Sequence, residues 1–171
     1  RAALYVDEAH GVGIRGQNGC GLAEEQGVHH KIEILTGTFG KAFGGQGAFV
    51  VGSQLLIDYL LNTARSQIFS TGLPPVCLSW LLLVLARLPG MGRERSRLQE
   101  LAAGLRRDLK RLGLTTGGTS QIVPVIIGES SIAVRVAEQL QEHGYWVTAV
   151  RPPTVPAGTA RLRLSLTAAM D

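Results

Sequence analysis

The chain is poor in cysteine, poor in aromatic residues and without a long hydrophobic run, and each scarcity narrows what it can be. Its two cysteines, Cys20 and Cys77, stand far apart and lack metal-ligand spacing. Neither a disulfide framework nor a zinc site is expected, and reduced intracellular thiols are the default. The longest apolar stretch, residues 76–85, is too short for a membrane span and is interrupted by Ser79. No signal peptide is visible, so a cytoplasmic protein is expected, although the sequence opens at Arg1 inside what reads as a strand.

Aromatic residues are only 5% of the chain, and this bears on its charge. The formal net charge is +4, which raises the question of a nucleic-acid partner. Within residues 93–112, however, seven basic residues (Arg93, Arg95, Arg97, Arg106, Arg107, Lys110, Arg111) stand against three acidic ones, an excess equal to the whole net charge. Leu98, Leu101, Leu105, Leu109 and Leu112 recur there at spacings of three and four. The pattern predicts an amphipathic helix with a basic, solvated face. No aromatic residue interleaves the charges, which argues against nucleic-acid binding.

At 171 residues, 45% of them hydrophobic and 18% charged, the chain can bury a sizeable core. Residues 2–6 read as a short buried strand ending in Asp7-Glu8, followed by a loop with glycines at 11, 13, 16, 19 and 21. Strands are predicted at residues 32–35, 48–51, 67–70, 122–127, 146–150 and 161–166. Ser53 is a plausible N-cap for a helix carrying Leu56, Tyr59, Leu60 and Thr63 on one face. Pro74-Pro75 start an apolar helix to about residue 88, and another helix runs over residues 130–143 with Ile132, Val136 and Leu140 as its buried stripe. The run Pro89-Gly90-Met91-Gly92 is the best boundary. Alternating strands and helices predict α/β architecture, with a smaller α+β unit after residue 90.

What the chain does have is Thr38-Phe39-Gly40-Lys41-Ala42-Phe43-Gly44, one lysine in a glycine-rich bend between two predicted strands. Lysine forms a Schiff base with carbonyl cofactors, and a pyridoxal phosphate (PLP) site needs that lysine plus a carboxylate to hold the pyridine nitrogen protonated. Asp7, at a predicted strand end, is such a carboxylate, because open α/β sheets bind ligands at the carboxyl ends of their strands. His10 is placed to meet the cofactor's ring oxygen, and Thr38 to meet its phosphate. Small neighbours predict a partly desolvated Lys41, a condition that favours the free amine. Taken singly, each has a plainer reading, as a loop aspartate, a solvated histidine or a turn lysine. The four together favour the PLP site.

Asp7-Glu8-Ala9-His10 also spells a helicase box. A nucleotide-driven motor requires a G-x-x-x-x-G-K-[ST] loop, normally upstream of that box. Here Lys41 is followed by Ala42, Leu35 stands where the first glycine belongs, and the order is reversed. On the last predicted strand Arg161 and Arg163 alternate with leucines and share a face; either could receive a substrate carboxylate, and spacing does not choose between them.

These residues resemble the α-oxoamine synthases, PLP enzymes of fold type I that condense an amino acid with an acyl-CoA and release carbon dioxide. The resemblance rests on VDEAHGVG (residues 6–13), TFGKAFG (38–44), IFSTGLPP (68–75) and WVTAVRPPTVPAGTARLRLSLTAA (146–169), and covers nearly the whole chain. It implies Lys41 as the Schiff-base lysine, Asp7 as partner of the pyridinium, His10 at the ring oxygen and Thr38 at the phosphate. It further implies Thr71 at the phosphate bound by the other subunit of a homodimer, Thr154 lining the site, and Arg163 holding the amino-acid carboxylate. The tail is most similar to the biotin-pathway branch, which implies L-alanine and pimeloyl-CoA, or a pimeloyl-carrier protein, as substrates. Sister branches of the glycine C-acetyltransferase or 5-aminolevulinate synthase type are the alternative, as is a non-catalytic fragment. By resemblance, residues 1–90 are the C-terminal portion of the large PLP-binding domain and residues 91–171 a truncated small α+β domain. The family's first half is missing, and Met170 stands where relatives usually carry histidine. A sheet with an open edge and an incomplete active site is therefore expected of this polypeptide alone.

Overall fold

The computed structural model describes residues 2–170. The chain divides into two compact units, Arg1–Gly92 and Arg93–Asp171.

The first unit is organised by a three-stranded sheet in the order β1-β2-β3: β1 Tyr5–Asp7, β2 Ile34–Thr38 and β3 Ala48–Gly52. β1 runs parallel to β2 with Asp7 opposite Thr36, and β2 runs antiparallel to β3 with Thr38 opposite Ala48. Strand side chains alternate between faces, so Tyr5, Asp7, Thr36, Thr38 and Val50 share one side of the sheet. On the other side Phe49 lies over Gly37: a β-carbon added to Gly37 would meet the ring at 2.4 Å. Glycine is required there by close approach, and the space it leaves is filled by the aromatic ring. Phe39 stacks against both Phe49 and Phe43, with centroids 5.1 and 5.3 Å apart. Phe43 joins Val12, Leu81 and Leu88 in the buried core.

Helix α1, Leu22–Glu25, lies in the glycine-rich segment, where no helix is expected. Helix α2, Gln54–Thr63, begins at Ser53, whose hydroxyl accepts the Leu56 N–H at 3.3 Å. The strand expected over residues 67–70 is instead a short helix, α3 Arg65–Ile68. Its amides turn back on Ala64 and Arg65, and Arg65 stands 5.3 Å over the Phe69 ring. This local closure competes with extension, and apolar alternation over so few residues does not decide between the two. Helix α4, Pro75–Arg87, starts on its proline and buries Leu81.

The second unit holds α5 from Arg93 onward (the helix spans Gly92–Arg111), α6 Ser130–Glu142 and an antiparallel sheet ordered β4-β6-β5. Its strands are β4 Ile122–Gly128, β5 Thr148–Val150 and β6 Ala160–Ser165. Val125, Ala137, Val147 and Leu162 form its core, with Leu109, Val136 and Leu140 packed on them. Leu162 and Leu164 thus face that core, while Arg161 and Arg163 occupy the opposite side of β6.

The expected basic, solvated face of α5 is only partly there. Arg95 and Arg106 are buried. Arg106 donates to the carbonyls of Ala102, Gly117, Ser120 and Ile122, tying the loop before β4 to the helix. Burial lowers its pKa from the ordinary arginine value, and these carbonyls hold the charge in place. Arg97 donates to the carbonyls of Ala168 and Met170 at 3.0 and 2.8 Å. Helical spacing marks an arginine as off the leucine stripe, but it does not show whether a loop folds back over it. Among the described residues no single helix is long and apolar enough to cross a membrane.

Replacing Arg106 with methionine keeps much of the apolar stem but leaves buried carbonyls without donors. The expected loss is about 3 kcal/mol, since buried charge-assisted bonds are lost and their acceptors stay desolvated. Urea unfolding should show the midpoint shift, and an unchanged midpoint would refute the role given to Arg106.

Candidate active site

The parallel pairing of β1 with β2 decides what lies near what. Asp7 closes β1, and the chain leaves β2 at Thr38 straight into the lysine bend, so both come to the carboxyl end of the same strand pair. Asp7 Oδ1 accepts the Ala9 N–H at 2.8 Å, a turn that fixes the carboxylate beside the strand end. An open cavity of about 450 Å³ lies on this side of the sheet, with Tyr5, Asp7, Ala9, Thr36 and Thr38 among its lining. That volume lies in the range of small-molecule sites. Tyr5 Oη and Thr36 Oγ1 are hydrogen-bonded across it at 3.0 Å. His10, Lys41 and Thr71 do not line the cavity.

The lysine bend is a closed local structure. Phe39 N–H donates to Gly47 O at 2.9 Å, Gly45 N–H to Phe39 O at 2.8 Å, and Gly44 N–H to Lys41 O at 3.0 Å. Thr38 Oγ1 donates to Gly47 O at 3.1 Å and accepts the Gly40 N–H at 3.2 Å. Its single hydrogen is therefore spent inside the bend, and donation to a phosphate would require it to turn. Helix α4 supports the bend from below: Trp80 Nε1 donates to Phe43 O at 3.1 Å, and a β-carbon on Gly45 would meet Leu81 at 2.9 Å.

The expectation of a desolvated lysine is not met in this unit. Lys41 is exposed, because the side chain the bend turns into the core is Phe43. The Lys41 side-chain amine makes no hydrogen bond or ion pair among the described residues. It is thus uncommitted, which suits a group that must meet an electrophile.

Protein carboxylates fill the glycine-rich loop after His10. Glu8 is 4% exposed, and its Oε1 accepts the Ala23 N–H at 2.7 Å. Glu24 accepts the N–H groups of Asn18 and Cys20, the latter at 2.9 Å. A β-carbon on Gly16 would lie 2.2 Å from the Glu24 carboxylate. Sequence reasoning passed over Glu8 and Trp80. The glycines that follow Asp7-Glu8 at 11 and 13 were the one signal near Glu8, whereas nothing in an apolar helix distinguishes Trp80.

Thr71 is exposed in the extended segment between α3 and α4. In the second unit Thr154 is exposed on the loop before β6, its amide bonded to Arg151 O at 3.1 Å. The two arginines left undecided by spacing now separate. Arg161 spends Nε and Nη2 on the carbonyl and hydroxyl of Thr159, at 3.0 and 3.1 Å. Arg163 Nε is buried and has no hydrogen-bond partner among the described residues. A buried donor left unpaired is costly and points to an absent acceptor.

The whole chain, residues 1–171, matches the sequence model described as aminotransferase class I and II. The chain belongs to that family. It is 54% identical over 167 residues to 8-amino-7-oxononanoate synthase of Chlorobaculum parvum, covering 98% of this chain and 43% of the relative. An 8-amino-7-oxononanoate synthase structure from Francisella tularensis is similar at TM-score 0.88 and 32% identity, over 98% of this chain and 50% of that one. A serine palmitoyltransferase variant from S. paucimobilis with bound PLP–myriocin aldimine is similar at TM-score 0.93 and 34% identity, over 99% of this chain and 44% of that one. The fold is thus that of fold type I PLP-dependent enzymes, and this chain spans half or less of the length of each relative.

Trp80→Phe keeps the ring and removes the N–H that holds Phe43 O. The expected cost is about 1 kcal/mol, that of one hydrogen bond, with faster amide exchange at Gly44 and Gly45. Unaltered exchange in the bend would contradict the support assigned to Trp80.

Proposed function

We propose that the chain carries part of the active site of a PLP-dependent α-oxoamine synthase. In this reading the whole protein condenses L-alanine with pimeloyl-CoA, or a pimeloyl-carrier protein, giving 8-amino-7-oxononanoate, carbon dioxide and the free thiol. The observation that supports it most is the convergence of Asp7 and the uncommitted Lys41 on one end of a parallel strand pair. The unpaired Nε of Arg163 supplies a donor for an anion. The donor set fits PLP: an amine for its aldehyde, a carboxylate for its ring nitrogen, and hydroxyl and histidine side chains for its oxygens.

PLP, when bound, supplies an electron sink for charge developing at the substrate's Cα. Lys41 holds the cofactor by its amine and, once freed, takes and returns the Cα proton. Asp7 keeps the pyridine nitrogen protonated through charge-assisted pairing. His10 meets the ring oxygen and Thr38 the phosphate, with Thr71 reaching the phosphate of the partner in a homodimer. Arg163 binds the amino-acid carboxylate, and Thr154 lines the substrate's path. The first unit is then the C-terminal portion of the large PLP-binding domain and the second the small domain of a cytoplasmic enzyme. Sister synthases share this set, so only substrate choice separates them.

The test is an assay of the protein with PLP, pimeloyl-CoA and alanine, glycine or serine in turn, reading thiol release and product mass. Alanine should be preferred by about tenfold or more, the discrimination one small group in a fitted pocket provides. Preference for glycine or serine would move the chain to a sister branch. Lys41→Ala should lower turnover by at least about 10²–10⁴-fold, the share of positioned acid–base catalysis, with an unchanged melting temperature. Normal turnover by that variant would remove Lys41 from its role. Arg163→Ala should raise the amino-acid KM by about tenfold or more, as expected for a lost charge-assisted contact. An unchanged KM would point to another residue.

A further inference from the structure

Glu8 is a buried carboxylate that the proposed chemistry does not use, in sequence contact with one residue that it does use and two positions from another. Its backbone continues the strand pairing, its N–H donating to Thr36 O at 2.8 Å. Its carbonyl then accepts two amides, Gly11 N–H at 2.8 Å and Val12 N–H at 3.0 Å, which turns the chain sharply after β1. Its side chain reaches across the loop to the Ala23 N–H at 2.7 Å, in the first turn of α1, where Gly21 has no side chain to cap with. The three anchors hold the segment from Asp7 to Val12 at its start, its turn and its far contact. His10 lies inside that segment, and Asp7 begins it.

The fit around the carboxylate leaves no slack. A β-carbon on Gly11 would stand 1.8 Å from Glu8 Oε2, and one on Gly21 would stand 2.7 Å from Glu8 Cδ. Gly21 also has φ of +111°, a region that favours glycine. The carboxylate is 4% exposed, a costly place for a charge unless its hydrogen bonds hold something in register. An exposed glutamate would serve solubility equally well, so the burial calls for a structural reason.

We propose that Glu8 is a positioning residue for the candidate site: its side-chain acceptor on Ala23 N–H fixes the segment that presents Asp7 and His10. It touches neither cofactor nor substrate and acts through those two residues. The inference rests on the PLP reading only for its consequence in cofactor binding, because the order of the segment can be measured without PLP.

The experiment compares the unaltered protein with Glu8→Ala and Glu8→Gln. Amide exchange by peptide is read on the apo-protein, and PLP titration by absorbance gives the affinity and the bound absorption band. Glu8→Ala should speed exchange across residues 6–12 and 21–25 by about tenfold or more, since a loop held by few bonds opens locally. Exchange across β2 and β3 should not change. PLP affinity should fall by about tenfold and the bound band should shift, the loss expected when preorganised contacts loosen. Glu8→Gln keeps the Oε1 acceptor and most of the shape, so it should restore both readouts to within about threefold. Parent-like exchange in Glu8→Ala overturns the proposal, as does equal loosening by both variants. If Glu8→Ala does not fold, Glu8→Gln decides alone: parent-like exchange and band support the acceptor role, and a loosened segment overturns it. If a protein of full length binds no PLP, the cofactor reading fails, and the exchange comparison still judges Glu8.

Discussion

The parallel pairing of Tyr5–Asp7 with Ile34–Thr38 is the constraint on which the candidate site depends. Asp7 and Lys41 are more than thirty positions apart in the chain. Had the strands paired antiparallel, the residues following them would leave from opposite ends. Parallel pairing sends both to one end, and the intervening chain has to return outside the sheet. That return is the glycine-rich segment, α1 and the turn at His29–Lys31. Packing then fixes what pairing brings together: Phe39, Phe43 and Phe49 hold the lysine bend to the sheet, and Gly37 gives Phe49 its place.

Around that pair the protein assigns its polar groups unequally. Glu8 and Glu24 are spent on the loop, Arg106 on carbonyls before β4, and Arg161 on Thr159. The Lys41 amine and the Nε of Arg163 are left without partners among the described residues. Thr116 Oγ1 is buried without a hydrogen-bond partner among them as well, but of these two buried groups Arg163 alone carries a charge that an anion would pair. The same comparison separates Arg163 from Arg161, which strand alternation alone treats as equals.

Much of the fold was legible because it depends on local signals. Ser53 as a cap, the prolines before α4, the leucine stripe of α5 and the alternation in β6 each announce an element. What was hidden depends on contacts distant in sequence. The burial of Arg106 needs a loop to fold back on α5, and the exposure of Lys41 follows from Phe43 taking the inward position. Residues 67–70 read as strand because four residues are too few for a period, and closure onto Ala64 and Arg65 made Gln67 and Ile68 helical. For the site, the DEAH and TFGKAFG motifs carried Asp7, His10, Thr38 and Lys41 into view. Glu8, in the same motif, went unread because its role lies in a contact with Ala23.

The central claim is that Lys41 is the residue that binds PLP. The most direct measurement is borohydride reduction of the protein incubated with PLP, followed by digestion and mass mapping of the pyridoxyl adduct. The account predicts one adduct, on the peptide containing Lys41, with Lys31 and Lys110 unmodified. An adduct on another lysine, or none on a protein of full length, would contradict it.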